Sequence, residues 1–159
     1  MAETVYIETT IPSAYASQRK DAASIYRRDT THEWWMQQRG LYELRSSQAV
    51  LTELRAGRYP GQAEAIDLVD PLPLLDITDE VLAIAELYVR HHLMPEPASG
   101  DGLHLALASA HEMDYLLTWN IRHLANPNKL EHMTVINRRL GLLTPVIISP
   151  EGLWVEDTT

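Results

Sequence analysis

The chain has 159 residues, of which 45% are hydrophobic, enough for one core that buries roughly 70% of the unfolded surface without covalent staples. The absence of cysteine excludes disulfides and thiolate metal sites, and no apolar run approaches the ~20 residues of a membrane span. The net charge of -9 excludes a broadly basic surface that coats nucleic acid, while leaving room for a local basic patch, a carboxylate metal site or recruitment of a basic partner. Residues 1–4 lack the basic and apolar regions of a signal peptide, so a soluble, cytoplasmic protein is expected.

Val5, Tyr6 and Ile7 favour a pleated, buried backbone, and Glu8 followed by Thr9, Thr10 and an Ile11–Pro12 bond ends it, leaving one carboxylate at the strand's C-terminal edge. Residues 13–20 read as a loop or short helical turn, after which Asp21 starts a helix that runs to about Gln38 and stops at Gly40. Residues 41–46 alternate apolar and polar side chains and form the next strand. Ser47 caps a helix with Val50, Leu51 and Leu54 on its core side, Glu53 on its surface and Gly57 at its end. Pro60 opens another helix that ends before Pro71, and residues 74–77 read as a short buried strand.

Thr78 or Asp79 caps an amphipathic helix with Val81, Ile84, Ala85 and Tyr88 on one face. Residues 94–98 break the chain, and Ser99 is the expected N-cap of a mostly buried helix reaching about Glu112. The nearly all-apolar residues 115–119 form a central parallel strand with Asn120 at its end. A helix over 128–140 stopped by Gly141, and a strand over 145–148, complete the series, leaving Leu153 and Trp154 to be covered. Strands and helices alternating at this spacing predict a three-layer α/β/α domain with a mostly parallel sheet, spanning 1–159 as one unit.

In such a sheet the strand ends and helix starts gather on one side, so Glu8, Glu53, Asp101 and Asn120 are the candidate site residues. Converging carboxylates repel one another unless a cation neutralises them, and Mg2+ or Mn2+ prefers such oxygen ligands. Each residue also has a plain structural use. Asp101 complements a helix dipole, Glu53 suits a solvated helix face and Asn120 starts a turn. Asp114 precedes its strand and is expected at the opposite edge, and His104, one turn after Asp101, is expected to pack or to support the site with a hydrogen bond. Arg55, Arg122 and His123, with Arg19, Lys20 and Arg58, are candidate phosphate contacts, whereas Trp119 is expected in the core.

Four blocks, YIETTIPS at 6–13, VLTEL at 50–54, SGDGLHLALA at 99–108 and LLTWNIRHLAN at 116–126, resemble the PIN domain family in order and spacing, and within it the VapC-type toxins of toxin–antitoxin systems. The resemblance implies a metal-dependent endoribonuclease cutting RNA with Mg2+ or Mn2+. Glu8, Glu53 and Asp101 fall on its acidic metal-holding positions and Asn120 on the fourth catalytic one. It also implies a cognate antitoxin and a homodimer. Two positions depart from the pattern: Glu8 stands where Asp is usual, and Asn120 where Asp is frequent. A catalytically weak RNA- or protein-binding module is the alternative, and a phosphorylated receiver-like switch ranks last for want of a lysine after the late strand.

Overall fold

The structure, a computed structural model, describes residues 2–156; residue 1 and residues 157–159 of the expected domain lie outside the described residues. In chain order the elements are β1 (Thr4–Ile7), α1 (Thr10–Tyr15), α2 (Ala22–Gln37), β2 (Glu43–Ser47), α3 (Gln48–Arg55), α4 (Gln62–Val69), β3 (Leu74–Leu75), α5 (Asp79–Arg90), α6 (Asp101–Ala110), β4 (Tyr115–Leu117), α7 (Leu130–Arg139) and β5 (Val146–Ile148). The strands form one parallel sheet in the order β3-β2-β1-β4-β5. The order reverses between β1 and β4, and the crevice beyond the C-terminal ends of strands at such a reversal is where open α/β sheets bind ligands. Glu8 and Thr118 follow those two strands directly.

Period-2 alternation divides the core. Val5, Ile7 and Leu117 face Ile11, Trp34, Leu44, Trp119 and Leu153, whereas Tyr6 and Leu116 face the apolar sides of α3 to α7. Helices therefore cover both faces, which is the three-layer arrangement expected. Leu153 is buried and its carbonyl accepts from Trp34 Nε1 at 2.8 Å, so the segment after β5 covers the Trp34 side of the core. Asp114 Oδ2 accepts from the Thr4 N–H at 2.8 Å, tying β1 to the start of β4 at the edge away from Glu8. Among the described residues no helix is long and apolar enough to cross a membrane.

Three local expectations need correction. A helix, α1, starts at Thr10 where a loop or turn was expected from residue 13. Pro12 lies in its first turn, where a missing N–H costs no helical hydrogen bond, so the proline expected only to end the strand also fits the start of the helix. The N-cap of α6 is Gly100 and not Ser99. The Gly100 N–H closes a turn onto Pro97 O at 3.0 Å, and a Cβ at Gly100 would meet that oxygen at 3.3 Å. Finally, β3 is a two-residue strand at the sheet edge with Leu74 41% exposed, in place of a buried strand.

Candidate active site

Glu8 is buried, and its carboxylate is held by donors from both strand ends. Oε2 accepts from Thr10 Oγ1 at 2.6 Å, Thr118 Oγ1 at 2.7 Å and the Thr10 N–H at 3.1 Å. Oε1 accepts a single bond, from the same N–H at 3.2 Å. Burial raises the pKa of Glu8, and the charge of His104 and the threonine hydrogen bonds only partly offset that. β4 ends at Leu117, two residues short of the expected strand, so Asn120 lies in the loop three residues beyond it and is joined directly to Asp101 at the start of α6. Its Nδ2 donates to Asp101 Oδ1 at 3.0 Å, while its Oδ1 accepts from the His123 N–H at 3.1 Å. A carboxylate on one side and an amide N–H on the other leave the side-chain amide a single orientation. Asn120 therefore presents its donor to Asp101 and has committed its carbonyl oxygen to the turn that follows.

Glu53, on the exposed side of α3, is hydrogen-bonded to Nε2 of the buried His104 on α6. His104 Nδ1 meets Tyr6 Oη at 2.7 Å, and Tyr6 Oη meets Ser47 Oγ at 2.8 Å, so a buried relay links β1, β2, α3 and α6. Both protonation states of the imidazole are satisfied there. A neutral ring donates to Glu53 and accepts from the tyrosine, whereas a charged ring donates to both and the tyrosine hydroxyl turns to Ser47. Burial pulls the His104 pKa down, but the Glu53 hydrogen bond and the charges of Glu8, Glu53 and Asp101 more than reverse this, and the net direction is upward. Burial also raises the pKa of the Tyr6 phenol, with further contributions from Glu8 and Glu53.

The four candidate residues and His104 thus form two linked pairs and one clamped acid: Asp101 with Asn120, Glu53 with His104, and Glu8 between Thr10 and Thr118. His104, expected either to pack or to donate a supporting hydrogen bond, is both buried and hydrogen-bonded. Among the described residues no three His, Asp or Glu side chains converge as a ready-made metal cluster. The donor chemistry nevertheless fits a hard divalent cation. Glu8 Oε1 carries one long bond, and neither Glu53 Oε2 nor Asp101 Oδ2 is hydrogen-bonded to a described residue. Mg2+ is commonly held by one or two carboxylates and several waters, a requirement that free oxygens on separate acids can meet.

Of the expected phosphate contacts, His123 and Arg122 lie just past Asn120, with His123 Nδ1 3.4 Å from Lys129 Nζ and Arg122 exposed. Arg55 is exposed at the end of α3, about 200° around the helix from Glu53. Sequence reasoning did not single out Lys129, whose ammonium donates to Leu93 O at 2.9 Å, or Arg27, whose guanidinium lies 5.6 Å from the centre of the Trp119 ring. Neither carried a local signal, because both contacts come from segments far apart in the chain.

The all-parallel five-stranded sheet with helices on both faces is a three-layer α/β/α fold of PIN type. Three solved structures share it. FitAcB from Neisseria gonorrhoeae aligns with a TM-score of 0.55 at 15% identity, covering 94% of this chain and 99% of that one. VapBC2 from Rickettsia felis, bound to a DNA fragment from its promoter, aligns at 0.59 and 12% identity, covering 92% and 98%. VapC20 from Mycobacterium tuberculosis, a toxin that cleaves the sarcin-ricin loop, aligns at 0.52 and 19% identity over 70% and 86%. At these identities the likeness is one of fold. No family model and no curated protein matches the chain.

Proposed function

We propose that this chain is a metal-dependent endoribonuclease of VapC type, acting as one domain in the cytoplasm as the toxin of a toxin–antitoxin pair. The observation that carries the reading is the set of three acids, Glu8, Glu53 and Asp101, each fixed by a separate protein donor and each keeping an oxygen with no strong protein partner. These residues would hold Mg2+ or Mn2+. When bound, such a cation supplies positive charge that acidifies a water and stabilises charge developing on phosphate oxygens.

The chain's own residues prepare that chemistry. Thr10 and Thr118 fix the Glu8 carboxylate, Asn120 aims Asp101, and His104 holds Glu53 against the buried Tyr6–Ser47 relay. Arg122 and His123, with Arg55 farther out, are proposed contacts to RNA phosphates. A cognate antitoxin and a second copy of the chain are the proposed protein partners, in keeping with the toxin systems that share the fold. Incubation of purified protein with a panel of RNAs and Mn2+, beside Asp101→Asn, tests the reading. Cleavage by the native protein and none by the variant is expected; equal cleavage by both overturns it.

A second reading, an RNA- or protein-binding module with little turnover, is favoured by Asn120. Its carbonyl oxygen already accepts from the His123 N–H and carries no charge, so the fourth position offers a cation a weaker oxygen than a carboxylate would. RNA binding in chelator, with no turnover at any Mn2+ concentration, would establish that reading in place of the first.

A further inference from the structure

Beside Thr10, α1, α2 and the segment after β4 border an open hollow of about 220 Å3 lined by Thr10, Ser13, Ala14, Ser17, Ser24, Arg27 and Trp119, in which the Thr10 and Ser24 hydroxyls already donate to Glu8 and Asp21. Thr10 Oγ1 donates to Glu8 Oε2 and accepts from the Trp119 N–H at 2.8 Å, so the wall of the hollow is one hydrogen bond from the candidate site. Trp119 is rigidly placed. It is buried, its Nε1 donates to Thr31 Oγ1 at 2.9 Å, and Tyr26 packs edge-on against its ring. The Arg27 guanidinium rests over that ring and has no carboxylate partner among the described residues, whereas its neighbour Arg28 lies 3.4 Å from Asp29.

A guanidinium that stacks on an aromatic face keeps its N–H edge available, and an edge of this kind recognises phosphate oxygens. The hydroxyl proton of Ser17 is also free, since its oxygen accepts from the Arg19 N–H at 3.3 Å. The hollow falls below the ~300 Å3 of ordinary small-molecule pockets, too small for a whole nucleotide and suited to one charged group. Ser13 and Ser17 also line a larger hollow of about 570 Å3 that contains Glu53, Arg19 and Tyr59. Ser13 and Ser17 are therefore a common rim between the Arg27 hollow and the one that contains Glu53.

We infer that the Arg27–Trp119 hollow is a phosphate subsite for the backbone of a single-stranded RNA, holding a phosphodiester that is not the one cut while the strand continues over Ser13 and Ser17 to Glu53. The identity of the strand rests on the nuclease reading; the anion site itself rests on Arg27 and its surroundings. Arg27 is a binding residue in this arrangement and takes no part in bond cleavage.

The test uses the intact protein, a fluorescently labelled single-stranded RNA in EDTA, and binding measured by anisotropy over a range of salt for native protein, Arg27→Ala, Arg27→Lys and Arg28→Ala. Removing one phosphate contact should weaken binding roughly fivefold at low salt for Arg27→Ala and reduce the slope of log affinity against log salt by about 0.7. Arg27→Lys should restore the slope but only part of the affinity, and Arg28→Ala should match the native protein. With Mn2+, Arg27→Ala should raise KM and leave kcat unchanged. Native affinity and slope in Arg27→Ala, with cleavage intact, overturn the subsite and leave the nuclease reading standing. Binding that depends on Arg27 without any cleavage supports the subsite and overturns the nuclease. Failure of the native protein to bind RNA in EDTA overturns the subsite, and the nuclease reading then stands or falls on cleavage with Mn2+.

Discussion

Asn120→Asp separates an attractive contact from a repulsive one at a single position. In the native protein Asn120 Nδ2 donates to Asp101 Oδ1 at 3.0 Å, a hydrogen bond to a charged acceptor that is ordinarily worth about 1.5–3 kcal/mol. Aspartate removes the donor and puts a second carboxylate in its place, while the bond from the His123 N–H can be kept by the other oxygen. Two charges about 4 Å apart repel by about 1 kcal/mol in water and about 4 kcal/mol at an effective dielectric of 20, and the half-buried Asp101 and Asn120 lie between these limits. Proton uptake by one of the pair sets a ceiling on the repulsive part. Raising a carboxyl pKa from about 4 to 7 costs about 4 kcal/mol, beyond which the group is neutral at pH 7.

A destabilisation of about 3 kcal/mol in EDTA at pH 7 is therefore expected, equivalent to a fall in Tm of about 6–12 °C for a chain of this size. Urea unfolding and thermal melts measure it. Added Mn2+ should restore the variant by more than it stabilises the native protein, because the variant offers the cation an additional acid whose repulsion it relieves. Native stability of Asn120→Asp in EDTA would refute the Asp101–Asn120 contact. A low Tm with no selective rescue by Mn2+ would retain the contact but refute the claim that these acids share a cation.

Trp34→Ala should cost about 3–5 kcal/mol, because the side chain is fully buried and stacked on Tyr42, and it should also expose residues near Leu153 to limited proteolysis by removing the Nε1 bond to that carbonyl. Gly61→Ala should destabilise by more than about 1 kcal/mol in urea unfolding, since the backbone there has a φ of +86° and the new Cβ would fall 2.1 Å from Ala16 O. Asp21→Ala should lower the Tm near neutral pH by removing the cap that accepts from Ser24. Those bonds lower the Asp21 pKa, so the native cap contributes above the ordinary aspartate pKa of about 4 and is lost as pH falls through the lowered value; melts of native and variant proteins should converge in acid.

The parts of the fold that follow from local rules were legible in the chain. Val5, Tyr6 and Ile7 are β-favouring and buried, Asp21, Ser47 and Thr78 each cap the helix they precede, and Gly141 adopts the positive φ expected just past α7. Rules of equal local plausibility failed where neighbouring backbone decided the outcome. Ser99 has the better capping side chain, yet the tight turn from Pro97 places the glycine at the cap; Leu74 has a strand pattern, yet β3 has no strand beyond it to cover that side. In the site, the positions of Glu8 and Asn120 beyond their strands could be read from the end of each apolar run. The partners of His104 could not, since Tyr6 and Glu53 lie 98 and 51 residues away and only its spacing from Asp101 hinted at the cleft.

Those distant partners bear on why an acidic cleft can fold before any cation arrives. Unpaired carboxylates brought together in a half-buried crevice would oppose folding by mutual repulsion and lost hydration. Here each acid is met by a different internal donor: threonine hydroxyls for Glu8, an imidazole for Glu53 and a side-chain amide for Asp101. An aspartate at position 120 would remove one of these donors and add a fourth charge. A neutral residue at position 120 therefore lowers the charge the cleft must tolerate, and on the proposed metal-dependent reading it also gives a cation an uncharged, weaker oxygen. On the metal-dependent reading proposed above, stability without metal and strength of metal binding are set against each other at this one side chain, so a single exchange at Asn120 should move them in opposite directions.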